Sequence, residues 1–143
     1  MSATPDTLAA ATATGAEPRR ILLIEDNGDA REMLRLLLET EGHVVYDAAD
    51  GDRGLALLDA ASPDIAFIDI GLPGLSGYEV AQRIRAHRKG RAMMLVALTG
   101  YGRANDAHAS TDAGFDLHLV KPINPDDLTR ILRAPARQKD EAS

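Results

Sequence analysis

The chain has 143 residues, a formal net charge of −6 and no cysteine, so we expect one domain without disulfides, thiolate metal sites or a cysteine nucleophile. The acidic balance argues against nonspecific binding to nucleic acid, and no apolar run approaches the length of a transmembrane helix. The amino terminus lacks the basic and apolar regions of a secretory signal, which favours a cytoplasmic protein without membrane insertion.

The chain divides into three parts by composition. Residues 1–18 are rich in Ala, Thr, Pro and Ser without hydrophobic periodicity, and we interpret them as a disordered extension. Residues 19–134 alternate between short apolar runs, typical of buried strands, and amphipathic patterns, typical of helices. Residues 135–143 form a polar tail. The predicted strands are 21–24, 43–47, 65–68, 92–98 and 115–120.

Helix-start residues follow four of the five predicted strands. The predicted helix starts lie at Asn27, at Asp50, at the capping box Ser76–Glu79, and at Asn124 with Pro125 in the first turn. The remaining helix, 103–112, is polar and rich in Ala, so we expect it to dock loosely and to move readily. Five strand–helix units in succession predict a parallel sheet with right-handed crossovers.

Polar residues stand at the carboxyl ends of four predicted strands, which lie at one edge of a parallel sheet. They are Glu25, Asp26, Asp69, Thr99 and Lys121. A pair of carboxylates about 4 Å apart repels by about 4 kcal/mol at an effective dielectric constant of about 20, so a cation is needed among them. A sparse all-oxygen site suits Mg²⁺. With Lys121 and Thr99 nearby, these acids predict phosphoryl transfer in which a carboxylate is the nucleophile.

The same residues, in this order, resemble the receiver domain of response regulators in two-component phosphorelays. The resemblance covers about residues 20–133 and rests on the acid pair, on Asp69 followed by Pro73 and Gly77, on Thr99 and on Lys121-Pro122. It implies a flavodoxin-like, doubly wound α/β fold with a five-stranded parallel sheet in the order 2-1-3-4-5.

The resemblance also implies roles for individual residues. Asp69 would be the phosphoacceptor, and Asp26, Asp69 and the backbone carbonyl of Gly71 would bind Mg²⁺, with Glu25 acting mainly through water. Thr99 and Lys121 would contact the phosphoryl oxygens. The Lys121–Pro122 peptide bond would be cis, as X-Pro bonds can be at low cost.

The implied switch is the surface of the fourth predicted helix, the fifth strand and the fifth helix. His118 occupies the switch position that usually holds Tyr or Phe, and we expect it to fill that place as a smaller ring; a sharper hypothesis is that its protonation tunes the switch. Tyr101 takes part of the aromatic role in this interpretation. The small turn after Asp69, with Gly71 and Gly74, predicts easy access of water and a short phosphoryl lifetime.

The implied partners are a sensor histidine kinase or a histidine phosphotransfer protein, and a downstream protein target. We expect no enzyme activity beyond Mg²⁺-dependent self-phosphorylation and autodephosphorylation at Asp69, and a monomer or a phosphorylation-dependent dimer. No helix-turn-helix pattern follows Arg133, which favours a single-domain regulator.

Two alternatives stay open from the residues alone. A receiver-like interaction module that is never phosphorylated would keep the same fold. A phosphatase with an aspartate nucleophile is less favoured, because Gly71 stands where its general acid is needed. Other charged residues are expected to be solvated: the histidines His43, His87 and His108, and the basic run from Arg83 to Arg91.

Overall fold

The computed structural model describes residues 18–87, 90, 92–100 and 113–133. Strands and helices alternate along this part of the chain. The strands are β1 (Arg20–Ile24), β2 (Val44–Ala48), β3 (Ile65–Asp69), β4 (Met94–Thr99) and β5 (Leu117–Val120). The helices are α1 (Gly28–Thr40), α2 (Gly51–Ala56), α3 (Leu58–Ala61), α4 (Gly77–Ala86) and α5 (Pro125–Arg133).

The five strands form one parallel sheet in the order β2-β1-β3-β4-β5. This confirms the flavodoxin-like α/β fold and its strand order. All five residues of β3 are buried, because strands pair with it on both sides and helices cover both faces. β2 lies at an edge of the sheet and buries only Ala48, as its mixed polarity predicts.

Alternating strand residues separate into two apolar layers, one on each face of the sheet. On one face, Leu22 and Ile68 pack with Ile84 of α4. On the other face, Phe67 packs with Leu38 of α1 and Leu132 of α5. Burying each such side chain contributes about 1.5–3 kcal/mol, so these two layers fix the sheet that carries the candidate site.

The predicted caps of α1 and α4 are confirmed. The side chain of Asn27 accepts a hydrogen bond from the Ala30 N–H, and Ser76 and Glu79 form the reciprocal capping box. These caps start each helix immediately after the loop that follows β1 or β3. The loops between β1 and α1 and between β3 and α4 therefore end at defined helix starts.

Most predicted strand ends are within one residue of the structure, but one predicted helix is divided in two and two strands begin two residues later than predicted. The single helix predicted to start at Asp50 is two helices, α2 and α3, because the Leu57 N–H bonds to the Gly54 carbonyl three residues back and tightens the turn. β5 begins at Leu117 rather than at residue 115, since Asp116 uses its side chain to bind the Leu95 N–H. β4 begins at Met94, after a turn at residue 92.

Several expectations lie outside the described residues. They concern the extension at residues 1–18 (apart from Pro18), the helix at 103–112, Tyr101, His108 and the tail at 135–143. The domain boundaries at residues 19 and 134 stay predictions. Within the part of the chain that is described, no helix is both long and apolar enough to cross a membrane.

Candidate phosphoacceptor site

Four elements deliver polar side chains to the carboxyl edge of the sheet. Glu25 follows β1, Asp69 ends β3, Thr99 ends β4 and Lys121 follows β5. Glu25, Asp69 and Thr99 are buried, with 0%, 7% and 3% of their surface exposed. Buried polar side chains at one place in an apolar core indicate a site rather than solvated surface.

Lys121 lies between the two buried acids. Its Nζ is 2.7 Å from Glu25 Oε1 and 3.2 Å from Asp69 Oδ2. The other oxygen of each carboxylate accepts a backbone hydrogen bond: Asp69 Oδ1 from the Gly71 N–H at 2.9 Å, and Glu25 Oε2 from the Asn27 N–H at 3.1 Å. One cation and two amides therefore hold both carboxylates in fixed orientations.

These contacts shift the ionisation of the three charged groups in different directions. Burial raises the pKa of Glu25 overall, although its hydrogen bond with Lys121 opposes the shift. Burial also acts to raise the pKa of Asp69, but the Gly71 N–H and the Lys121 charge outweigh it and hold that pKa below its ordinary value. Burial acts to lower the pKa of Lys121, yet Glu25 and Asp69 raise it overall. Asp69 is thus an ionised carboxylate at neutral pH, the form that acts as a nucleophile.

Asp26 completes a group of three acids. One carboxylate oxygen from each of Glu25, Asp26 and Asp69 lies within 4.8 Å of the others. Asp26 is exposed, so a cation bound there would keep some of its water. Three hard oxygen donors with access to solvent match the preferences of Mg²⁺.

Thr99 is placed beside this group by the sheet register. Leu98 pairs with Asp69 across β3 and β4, and Thr99 is the next residue along β4. The Thr99 hydroxyl donates a long hydrogen bond of 3.5 Å to the Leu119 carbonyl, while the Lys121 N–H donates to the Thr99 carbonyl at 2.8 Å. A hydroxyl held this weakly can exchange its acceptor at small cost.

The remaining expected residues are placed as follows. Gly71 is exposed in the loop after β3, and the Lys121–Pro122 peptide bond is cis. His118 is exposed on β5, and Tyr101 lies outside the described residues. The roles assigned to these residues stay predictions.

Arg31 is a neighbour of the site that the sequence interpretation missed. Its Nη1 donates to the backbone carbonyl of Glu25 at 2.8 Å, and its Nε lies 3.3 Å from Asp47 Oδ2. In the sequence it is one of several arginines on an amphipathic helix. Its distance of six residues from Glu25 was the available signal, because a long side chain near the start of a helix can reach back past the N-cap.

Comparison with known proteins extends these observations. Residues 21–133 match the family model of the response regulator receiver domain. An uncharacterized 14.6 kDa protein of Leptolyngbya boryana is 35% identical over 113 residues, which are 79% of this chain and 86% of that protein. The transcriptional regulatory protein TcrA of Mycobacterium tuberculosis is 38% identical over 119 residues, which are 83% of this chain but 46% of that regulator. The chain therefore spans about half the length of such regulators.

Solved structures resemble the fold over most of the chain. A response regulator from Chloroflexus aurantiacus superposes with a TM-score of 0.77 at 31% identity, over 82% of this chain and 96% of that one. The receiver domain of the sensor histidine kinase PA1611 from Pseudomonas aeruginosa superposes with a TM-score of 0.74 at 32% identity, again over 82% and 96%. That structure has a magnesium ion coordinated in its active-site cleft.

Proposed function

Because this chain belongs to the response regulator receiver family, we propose that it accepts a phosphoryl group on Asp69 from a phosphohistidine of a histidine kinase or phosphotransfer protein. The observation that carries this proposal is the Lys121 ammonium between the buried carboxylates of Glu25 and Asp69, at 2.7 and 3.2 Å. A structural ion pair needs only one acid for each lysine. A second buried acid beside the same lysine therefore supports a site that binds a charged group such as a phosphoryl group.

The transfer uses the Asp69 carboxylate as nucleophile. An oxygen of Asp69 forms a bond to phosphorus, the phosphorus–nitrogen bond of the phosphohistidine breaks, and the imidazole leaves with the electron pair. The Lys121 ammonium then pairs with a phosphoryl oxygen, because the negative charge of the carboxylate has moved onto the phosphoryl group. The product is an acyl phosphate that carries about two negative charges where Asp69 carried one.

Mg²⁺ would be held by the carboxylates of Asp26 and Asp69 and by the Gly71 carbonyl, with Glu25 acting through water. Bound Mg²⁺ neutralises charge on the phosphoryl oxygens. The donor set supports this assignment, since the three carboxylates lie together and Asp26 is open to solvent. Hydrolysis of the same acyl phosphate returns the free carboxylate, and the exposed Gly71 supports a short lifetime.

The signal would leave the site through Thr99 and β5. The Thr99 hydroxyl exchanges the Leu119 carbonyl for a phosphoryl oxygen, which releases a contact between β4 and β5. His118 and Val120 are exposed on β5, so a change there alters the surface that β5 and α5 offer to a downstream protein. A receiver-like module that binds partners without phosphorylation is the competing function.

Labelling with acetyl phosphate and Mg²⁺ separates these two functions. We expect the intact mass of the wild type to rise by one phosphoryl group, and Asp69→Asn to remain unlabelled. Asp52→Asn is the matched control, because Asp52 is an exposed aspartate in α2 away from the acid cluster. An unlabelled wild type would favour the interaction module, and a labelled Asp69→Asn would refute the assignment of Asp69.

A further inference from the structure

The backbone of Glu25 is held on both sides of its α-carbon by residues of other elements, β2 and α1. Its N–H donates to the Ala48 carbonyl of β2 at 3.1 Å, and its carbonyl accepts from Arg31 Nη1 at 2.8 Å. Glu25 lies one residue beyond the end of β1, and among the described contacts the partner of its carbonyl is the Arg31 side chain. The Arg31 guanidinium therefore takes the place of a strand neighbour where the chain turns toward Asp26.

Arg31 is itself anchored to the same edge strand. Its Nε lies 3.3 Å from Asp47 Oδ2, and about a quarter of each side chain is exposed. Asp47 directly precedes Ala48, whose carbonyl holds the Glu25 N–H. The contacts close a ring that runs from Glu25 to Arg31, Asp47, Ala48 and back to Glu25. This ring joins the loop of the acid pair to β2.

Arg35 offers a natural comparison within the same helix. Its Nη1 lies 3.6 Å from Asp47 Oδ1 and its Nε lies 4.0 Å from Glu39, with 40% of its side chain exposed. Among the contacts of the described residues, Arg35 shares the Asp47 carboxylate with Arg31 but does not reach Glu25. The two arginines thus carry the same charge close to the same acid and differ in the hydrogen bond to the site.

We infer that Arg31 is a positioning residue: it holds the Glu25–Asp26 turn in the geometry that binds Mg²⁺, and this inference rests on the proposed function. A positioning role and a simple charge effect predict opposite changes in Mg²⁺ affinity when the Arg31 guanidinium is removed. A guanidinium near a cation site repels the cation, so removing its charge alone would strengthen Mg²⁺ binding. Removing a group that orients metal ligands weakens binding, typically by 10- to 100-fold.

The test measures Mg²⁺ affinity by isothermal titration calorimetry for the wild type, Arg31→Gln and Arg35→Gln. We expect Arg31→Gln to bind Mg²⁺ about tenfold more weakly than the wild type. Arg35→Gln, which loses the same charge, should stay within about twofold of the wild type. An Arg31→Gln protein that binds as tightly as Arg35→Gln, or more tightly, would overturn the inference.

A second measurement needs no metal and does not depend on the proposed function. The Asn27 N–H donates to Glu25 Oε2, so its hydrogen exchange reports whether the turn is held. We expect faster exchange at Asn27 in Arg31→Gln than in Arg35→Gln, and equal exchange would contradict the positioning role. If the wild type binds no Mg²⁺, the proposed function fails, and the role of Arg31 in metal binding fails with it. If the wild type binds Mg²⁺ but Arg31→Gln and Arg35→Gln bind it equally well, the inference alone fails.

A variant of Asp47, which belongs to the same ring of contacts, covers the case in which Arg31→Gln does not fold. Asp47→Asn keeps the Arg31 residue but removes the carboxylate that pairs with it. Glu39→Gln is the control, because it also removes one carboxylate from this surface, but from a pair with Arg35. We expect Asp47→Asn to weaken Mg²⁺ binding by about threefold relative to Glu39→Gln. Equal affinities for these two variants would count against the ring.

Discussion

The ammonium nitrogen of Lys121 lies 2.7 Å from Oε1 of Glu25, a residue with no solvent-exposed surface. A buried carboxylate that loses its cationic partner is strongly destabilising, because burial then penalises an uncompensated charge. The lysine side chain is 30% exposed, so water screens part of this interaction.

Replacing this lysine should therefore reduce stability in a way that Mg²⁺ reverses. We expect Lys121→Met to lower the free energy of unfolding by about 2 kcal/mol in Mg²⁺-free buffer, as measured by urea denaturation. Added Mg²⁺ should reduce the difference in the free energy of unfolding between Lys121→Met and the wild type, since the ion neutralises the carboxylates of Glu25 and Asp69. Arg53→Met removes a cation from an exposed pair with Asp50 and should change stability by less than about 0.5 kcal/mol. Equal losses in the two variants would contradict the account.

Gly77 allows α4 to begin directly against the end of β3, where Asp69 lies. A Cβ at this position would lie 2.5 Å from the Asp69 carbonyl oxygen and 2.7 Å from the Ile70 Cα, and both neighbours are backbone atoms that cannot move aside alone. We expect Gly77→Ala to cost about 1–3 kcal/mol of stability and to slow phosphorylation at Asp69. Gly28→Ala is the control at the start of α1, where no atom lies within 4 Å of the added Cβ, and it should be neutral or stabilising. Thermal unfolding and labelling with acetyl phosphate check both variants.

Asp116 joins three segments far from the site. Its Oδ2 accepts from the Leu95 N–H and from Arg85 Nη2, both at 2.8 Å, while Arg85 also donates to the carbonyls of Gly114 and Met93. Asp116→Ala would remove this acceptor from the Leu95 N–H and this carboxylate from Arg85. We expect a loss of about 2 kcal/mol in the free energy of unfolding.

Glu39→Ala serves as the reference for this loss. It removes a carboxylate from an exposed i,i+4 pair with Arg35, so we expect a change of about 0.5 kcal/mol or less. Urea denaturation of the two variants under the same conditions makes the comparison. A small effect at Asp116, no larger than at Glu39, would show that the hydrogen bonds of Asp116 with Leu95 and Arg85 add little.

His43 should make stability depend on pH. It is 4% exposed, and its Nδ1 accepts the Arg19 N–H at 3.0 Å, which places the proton of the neutral ring on Nε2. Burial lowers the pKa of His43 below its usual value near 6.5, with Glu41 opposing the shift and Arg19 adding to it. The unfolded chain then binds the proton more readily, so the contribution of His43 to stability is full above pH 6.5 and is lost as the pH falls through the folded-state pKa.

Denaturation with urea at about pH 7.5 and about pH 5.5 tests this dependence. We expect the free energy of unfolding of the wild type to fall between the two values by more than that of His43→Asn, whose amide oxygen can replace the Nδ1 acceptor. His118→Asn, which changes an exposed histidine, should retain the dependence of the wild type. An identical pH profile for His43→Asn and the wild type would rule out this contribution.

The arrangement of the site was predictable because it depends on topology. A parallel sheet brings the carboxyl ends of its strands to one edge, so residues as distant in the sequence as Glu25, Asp69 and Lys121 could be placed together from their strand ends alone. The caps at Asn27 and Ser76 were predictable for a related reason, since each depends on residues three positions apart.

The contacts that the sequence did not reveal depend on partners far along the chain. Arg85 was expected in a solvated helix end, but it donates to Gly114 and Asp116, 29 and 31 residues away. His43 was expected to be solvated, and this was wrong because the amide of Arg19, 24 residues earlier, covers its ring nitrogen. A polar sequence neighbourhood does not say which side chains the tertiary packing will bury.

Reduction of the phosphorylated protein with borohydride tests the central claim most directly. An acyl phosphate on Asp69 is reduced to an alcohol, so peptide mass spectrometry should find homoserine in place of Asp69 after treatment with acetyl phosphate and Mg²⁺. We expect this product only when both reagents are present, and none in Asp69→Asn. Homoserine at another aspartate, or a phosphorylated chain in which Asp69 stays unreduced, would contradict the account.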